Sequence, residues 1–433
     1  MNTCNALSLP AYTINPQFDL DGYAKIIQNS MLPSIAQLKA AQSDFLYSSP
    51  ESFTALTSDE AAISKIKGVL EDLLALKPTD IIVCGIGGSS QGSKAFVHAL
   101  YGEYNLQNPR CYFCETVDPL SLGTIVEQLA RAKTLSAEAF SPILCMVSKS
   151  GTTQETLINA AVLLDFFKTH TTKINERVVC VTQKGSSLSQ VASKEKFGLL
   201  FVPEQVSGRF STFSAVGLLP LALMGININL IALGAQSALT RIFDEAPETN
   251  PIIQYALWLF EQSKTHAIAP FFVSMPSLAS SAHLFKQLYA ESLGKKDKKG
   301  NRVGFHPTVS VMTQDLHSIF QLYLDGPQNH MTTFIKGVST APHSHTTSIP
   351  TFFEHQMCKE ASAVECQMKF VDAVLAAYTD AQIPHTIIAL GAVTARILGS
   401  LITEHMVTTA LLGKLYEIST FDQPAITLYK CKL

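Results

Sequence analysis

PILCMVSKSGTTQETLINA, residues 142–160, decides how the rest of the chain is read. Pro142 to Val147 is an apolar run of strand length, and Ser148 to Thr153 gathers small and hydroxylated residues around one cation. From Gln154 the pattern turns helical, with Leu157, Ala160, Ala161 and Leu164 on one face. A strand that passes through hydroxyls and a glycine into a helix start brings backbone N–H groups, the positive end of the helix dipole and hydroxyl donors to one place. Such a cup suits a phosphate monoester. Simple capping by Thr152 or Thr153, completed by Glu155 or its neighbours, accounts for one hydroxyl and leaves the others and Lys149 unexplained. The spacing is not the Walker pattern, so nucleotide hydrolysis is not indicated.

Working outward, DIIVC at 80–84 is a second buried strand, followed at once by Gly85, Gly87, Gly88, Ser89, Ser90 and Gly92 and then a helix to about Tyr101. A dinucleotide fingerprint needs a third glycine where Ser90 stands, and an acid some twenty residues on that is not convincingly placed. Gly87 and Gly88 instead allow close backbone approach to a sugar phosphate, with Ser89 donating. Strand-like runs recur at 111–115, 143–147, 178–181 and 199–202, separated by helical stretches or turns. Alternation of this kind implies a mostly parallel sheet covered by helices on both faces, with ligands at the carboxyl ends of the strands. A second alternating series has strands at 267–275, 308–312, 332–336 and from His385. Its helices fall at 277–293, about 355–381 and 391–416. The expected organisation is therefore two α/β units, 1–226 with a proline-rich N-terminal arm and 227–433.

The 433 residues, 47% hydrophobic and only 15% charged, can bury a large core and do not describe a disordered chain. A net charge of −3 supplies no broad positive field, so neither nucleic acid nor an anionic membrane is an expected partner. No apolar run reaches membrane-spanning length. Nine scattered cysteines without an opening signal peptide suggest reduced thiols in the cytoplasm. Cys111 and Cys114 lie three apart in a strand and face opposite ways, so they do not read as a metal or redox pair. His343 and His345 lack an acidic or cysteine ligand nearby, and no metal is expected.

Four further stretches carry reactive residues. SGRFSTFSAVGL places Arg209 at a turn before an apolar helix that starts near Phe213. A structural ion pair is the plainer reading of that arginine. Gln287 and Glu291 are four apart on one helical face near Gly294, where Glu291 could equally pair with Lys295 or Lys296. His317 lies in DLHSIFQ at a turn-to-helix start capped by Thr313 or Asp315, and Lys430 near the end of the chain would by itself read as solvated tail.

Together these stretches resemble the glucose-6-phosphate isomerase family in its compact bacterial form. SKSGTTQET resembles the family's phosphate loop, GRFSTFSAVGL its arginine signature, QLYAESLGK its glutamate signature, DLHSIFQ its histidine segment and DQPAITLYK its C-terminal lysine motif. The matches run from Gly85 to Lys430 in order. Two departures stand out: Ser150-Gly151 replaces the more usual Thr-Phe, and Leu293 an Asn.

The resemblance implies two sugar-isomerase (SIS) domains and reversible isomerisation of glucose 6-phosphate and fructose 6-phosphate through a cis-enediol, without a cofactor. It implies that Ser148, Ser150, Thr152 and Thr153, with the Lys149 backbone, hold the phosphate, and that Gly88 and Ser89 line the same pocket. Glu291 matches the proton-shuttling base, Arg209 the enediolate-stabilising cation, His317 and Lys430 the ring-opening pair, and Gln287 and Gln423 substrate contacts. It also implies a homodimer in which His317 reaches the partner's site. The chemistry agrees: one carboxylate can move a proton between adjacent carbons, arginine keeps its charge, and histidine exchanges protons near neutrality. The competing readings are a non-catalytic sugar-phosphate sensor, which could dispense with Glu291 and Arg209, and an isomerase that also accepts mannose 6-phosphate.

Overall fold

DIIVC, PILCMV and VVCVT form strands Asp80–Cys84, Pro142–Val147 and Val178–Thr182, each buried at every position. Strands so enclosed belong in a parallel sheet covered on both faces. The computed structural model describes residues 9–16, 20–104, 106–339 and 362–432, which divide into two compact units. The first unit is Leu38–Ala232; the second is Met1–Gln37 with Leu233–Leu433.

In the first unit the strands lie in the order Arg110–Cys114, Asp80–Cys84, Pro142–Val147, Val178–Thr182, Gly198–Phe201, all parallel. Numbered along the chain this is 2-1-3-4-5, so the strand order reverses between Asp80–Cys84 and Pro142–Val147. In doubly wound sheets that reversal opens a crevice at the carboxyl ends. Cys84, Leu144, Met146 and Cys180 pack against Leu163, Phe166 and Phe167 of helix Gln154–His170 and Leu129 of helix Pro119–Leu135. Asp118 and Ser186 cap the starts of helices Pro119–Leu135 and Ser187–Glu195. Helix Ala215–Leu223 is apolar all round and wholly buried.

The second unit has the order Ala11–Asn15, His385–Val393, Thr332–Ser339, Ile268–Val273, His306–Val311. Its four chain-ordered parallel strands repeat the 2-1-3-4 pattern, and Ala11–Asn15 adds an antiparallel edge. Helix Ala395–Leu415 is buried without a break from Ile397 to Gly413. Tyr12 Oη donates to Glu404 on that helix at 2.9 Å, Arg241 binds the same carboxylate, and Arg241 Nη1 reaches the Pro10 carbonyl at 2.9 Å. That network fixes the edge strand.

The structure corrects several expectations. Residues 1–37 fold with the second unit instead of opening the first, and the division falls at 232/233 instead of 226/227. The cause is the pairing of Ala11–Asn15 with His385–Val393, a contact no local pattern announces. Gly391 to Val393 continue a strand, because the ladder resumes beyond a bulge at Lys336/Gly337. Thr394, whose side chain accepts from Ile397 N, then starts the last helix at Ala395. Helix Gln154–His170 buries Thr156, Asn159, Ala160 and Leu163 instead of Leu157, Ala161 and Leu164. Asn159 spends its amide on the Thr116 carbonyl at 3.0 Å, so a polar residue occupies the inward face. The helix expected from about 355 is described as Ala363–Asp380, opened by a Ser362/Glu365 capping box; residues 355–361 lie outside the described residues, as do His343 and His345.

Candidate active site

The first unit brings three turns together. Gly85–Ser90 follows strand Asp80–Cys84 and Ser148–Thr153 follows strand Pro142–Val147, so both stand at the carboxyl ends flanking the point where strand order reverses. The third turn, Gly208–Phe210, touches the first through backbone: a Cβ on Gly88 would lie 2.7 Å from Arg209 N and would overlap Gly208. Gly88 is glycine because of that approach, and it seats buried Arg209 beside the glycine turn. Lys149 ties the second turn to the third by donating from Nζ to the Val206 carbonyl at 2.8 Å. Burial holds this ammonium below its ordinary pKa, with Glu204 opposing the shift and Arg209 adding to it.

The hydroxyls of 148–153 do not cap the following helix. Thr153 occupies the N-cap position and makes no side-chain capping bond. Its Oγ1 accepts from Ser148 Oγ at 3.0 Å, and Ser150 Oγ accepts from Thr152 Oγ1 at 3.0 Å. Thr153 and Ser150, as acceptors in these pairs, keep their own protons to donate. Backbone N–H groups, a helix start and hydroxyl donors thus meet at one turn, the groups that favour an anion. Gly151, at φ +69°, is required here for a local reason: a side chain would meet Leu188 N at 2.8 Å. Ser90, in the place of the third dinucleotide glycine, donates to Glu115 at 2.6 Å, and Gln91 and Lys94 bind the same carboxylate at 3.2 and 2.5 Å. A carboxylate so committed is a poor ribose ligand.

In the second unit, helix Ala279–Leu293 carries Gln287 and Glu291 one turn apart, with Gln287 Nε2 donating to Glu291 Oε1 at 2.9 Å. The opposite side of the helix is clamped in the core, where Tyr289 Oη meets His405 Nδ1 at 2.8 Å and Phe285 stacks on His405 at 3.8 Å. The roll of the helix is thereby fixed. Gln287 Oε1 is buried without a hydrogen-bond partner among the described residues, an acceptor suited to a hydroxyl. Lys295, just past the helix, meets the Asp422 carboxylate at 2.7 Å and brings Gln423 to the Glu291 end of the sheet. Sequence reasoning considered Lys295 only as a partner for Glu291; its place in the same GK-terminated stretch was the available signal. Helix Thr427–Lys430 follows, and the Lys430 side chain lies outside what is described.

His317 is not gathered with Glu291 within this unit. It is exposed in turn Gln314–His317, directly after strand His306–Val311 and so at the carboxyl end of the sheet. Asp315 pins that turn by accepting from Val311 N and Ser318 Oγ, each at 2.7 Å. Glu291 ends a helix that crosses back from strand Ile268–Val273 to the parallel strand His306–Val311, which puts it at the amino end. A six-residue strand separates the two ends by about 20 Å.

Among the described residues no group of three or more His, Cys, Asp or Glu side chains could hold a metal, and no helix is long and apolar enough to cross a membrane. Residues 71–432 match the family described as "Phosphoglucose isomerase". The chain is similar to the glucose-6-phosphate isomerase of Rubrobacter xylanophilus, 32% identical over 90% of this chain and 89% of that protein. It is likewise 32% identical to the glucose-6-phosphate isomerase of Thermus thermophilus, over 81% and 82% of the two chains. A crystal structure of a glucose-6-phosphate isomerase from Chlamydia trachomatis superposes with a TM-score of 0.81 over 97% of this chain and 87% of that one, at 20% identity, a likeness of fold.

Proposed function

The chain belongs to the phosphoglucose isomerase family, and from that premise we propose how its residues divide the reaction. The reaction is the reversible aldose–ketose isomerisation of glucose 6-phosphate and fructose 6-phosphate, on two SIS-type α/β domains. Ser148, Ser150, Thr152 and Thr153, with the Lys149 backbone, hold the phosphate, and Gly88 and Ser89 line the same pocket. Glu291 takes the proton from C2 of the open-chain aldose while O1 gains one, giving the cis-enediol. It then returns its proton to C1 as the C2 hydroxyl loses its own and becomes the ketone carbonyl. Arg209 faces the negative charge of the enediolate, where a fixed cation contributes on the order of 3 kcal/mol. Gln287 and Gln423 orient the hydroxyls, and His317 with Lys430 opens the ring.

The observation that carries this reading is the Gln287–Glu291 pair, a carboxylate oriented at 2.9 Å beside an amide oxygen that finds no donor among the described residues. Support for a homodimer comes from His317, which follows the carboxyl end of strand His306–Val311 whereas helix Ala279–Leu293 delivers Glu291 toward its amino end; a partner subunit can supply the histidine that the same chain does not. Buried free thiols at Cys84, Cys111, Cys114, Cys145, Cys180 and Cys366 support a cytoplasmic setting.

Glu291→Gln tests the assignment. With fructose 6-phosphate and a coupled readout of glucose 6-phosphate, the variant should bind substrate as before and lose at least about a hundredfold in kcat, the contribution of a general base. Equal turnover in the two proteins would reject Glu291 as the base.

A further inference from the structure

Lys295 sits four residues beyond Glu291 on a stiff support. Helix Ala279–Leu293 ends with Gly294 N donating to the Ala290 carbonyl at 3.2 Å, and Lys295–Lys296 then pairs antiparallel with Arg302–Val303. Asp297 closes the hairpin by accepting from Lys299 N, Asn301 N and Asn301 Nδ2 at 2.8 to 2.9 Å. Gly304, at φ +101°, returns the chain so close that a Cβ would lie 2.7 Å from the Leu293 carbonyl. From this base the Lys295 ammonium reaches the C-terminal segment. It donates to the Ser419 carbonyl and to the Asp422 carbonyl at 2.8 Å, and it meets the Asp422 carboxylate at 2.7 Å. An ammonium has three donors, and each has an acceptor here. The Lys295 side chain is 9% exposed and the Asp422 side chain 55%, so solvent screens the ion pair and the two carbonyl bonds carry the tether. Directly after Asp422, Gln423 opens turn Pro424–Ile426, which runs into helix Thr427–Lys430.

We infer that Lys295 is a positioning residue for ring opening: it fastens the segment carrying Gln423 and Lys430 to the end of the helix that carries Glu291. The inference rests on the reading of Lys430 as a ring-opening group. In that step the bond between the anomeric carbon and the ring oxygen breaks, its electron pair stays on the ring oxygen, which gains a proton, and the anomeric hydroxyl loses one to become the carbonyl. Proton transfer at Glu291 follows without Lys430 and meets the C-terminal segment only through the Gln423 contact. Loosening the tether should therefore slow the first step, which needs both residues, more than the second.

The two steps separate with 5-deoxyfructose 6-phosphate, which lacks the hydroxyl that closes the furanose, and whose C6 oxygen is esterified, so it is always open. Lys295→Met should lose about 10- to 100-fold in kcat on fructose 6-phosphate, the penalty for a misplaced catalytic group, and at least about fivefold less on the deoxy substrate. Lys295→Arg, which can still donate to carbonyls and carboxylate, should recover most of the loss. Asp422→Asn keeps both carbonyl acceptors and should show the same selectivity at smaller size if Lys295→Met fails to fold. Equal losses on the two substrates, or no loss on either, would overturn the inference. Lys430→Met should copy the selective loss; if it instead treats both substrates alike, the ring-opening reading beneath the inference falls.

Discussion

Gly88→Ala asks whether the contact between the glycine turn and the Arg209 turn sets the rate. The added Cβ would stand 2.7 Å from Arg209 N and closer still to the Gly208 carbonyl group, where ordinary contact begins at 3.4 Å. The nearest atom, the Gly208 carbonyl carbon, would be at 2.3 Å, so restoring 3.4 Å requires one turn to retreat by 3.4 − 2.3 = 1.1 Å. Both neighbours are backbone, so no flexible side chain can absorb the shift, and Arg209 moves with its own amide. Because a displacement of about 1 Å can cost about a hundredfold, a loss of roughly 10- to 100-fold in kcat/KM is expected, or about 1.4 to 2.7 kcal/mol. The assay is coupled turnover of fructose 6-phosphate with melting temperatures measured alongside. Gly123→Ala, in helix Pro119–Leu135 with nothing within 4 Å of the new Cβ, is the control. It should leave turnover unchanged and stabilise by up to about 1 kcal/mol. Gly88→Ala with the turnover and melting temperature of wild type would refute the reasoning.

Thr153→Ala should raise KM for fructose 6-phosphate about tenfold or more through a lost bond to a charged group, with little change in stability. A drop of about 1 kcal/mol in stability at unchanged KM would mean instead that Thr153 is a helix cap after all. Arg241→Met strips Glu404 of its cation inside the core and should cost about 3–5 kcal/mol in urea unfolding; a loss below about 1 kcal/mol would count against the network that fixes the N-terminal strand. Burial lowers the pKa of His405 to about 3, and those of His98 and His330 to about 4. These folded values lie below the usual 6.5, so the unfolded chain takes up protons first: stability is whole above about pH 6.5 and falls as pH drops toward 4 and 3. His405→Gln should flatten that decline, and stability that rises on acidification would contradict it. Mixing Glu291→Gln with His317→Ala under subunit exchange should restore about a quarter of wild-type sites, since half the dimers are mixed and each has one intact site. No recovery after confirmed exchange would contradict a shared histidine.

Most of the strand framework was legible because Ile81–Cys84, Ile143–Val147 and Val178–Val181 are unbroken apolar runs, a pattern that only enclosed parallel strands require. Ala11–Asn15 escaped detection because AYTIN lies between two prolines and finds its partner more than 370 residues later, beyond any local signal. The inward face of helix Gln154–His170 was misjudged because periodicity was counted on apolar residues alone, whereas Thr156 and Asn159 are buried on it and Asn159 Nδ2 donates to the Thr116 carbonyl. The proposed phosphate cup could be argued from chemistry: four hydroxyls exceed what one cap needs. Glu291 and Arg209 could not, since each had an ordinary ion-pair reading, and only the ordered motifs singled them out. Lys295 stayed hidden because its partners are 124 and 127 residues away.

Crystals of the Glu291→Gln protein soaked with fructose 6-phosphate offer the most direct measurement. Phosphate oxygens should lie about 2.7–3.0 Å from the hydroxyls of Ser148, Ser150, Thr152 and Thr153, and C1 and C2 about 3–3.5 Å from the residue 291 side chain. Density for the phosphate away from that turn, or a sugar whose C1 and C2 lie beyond the reach of residue 291, would contradict the account.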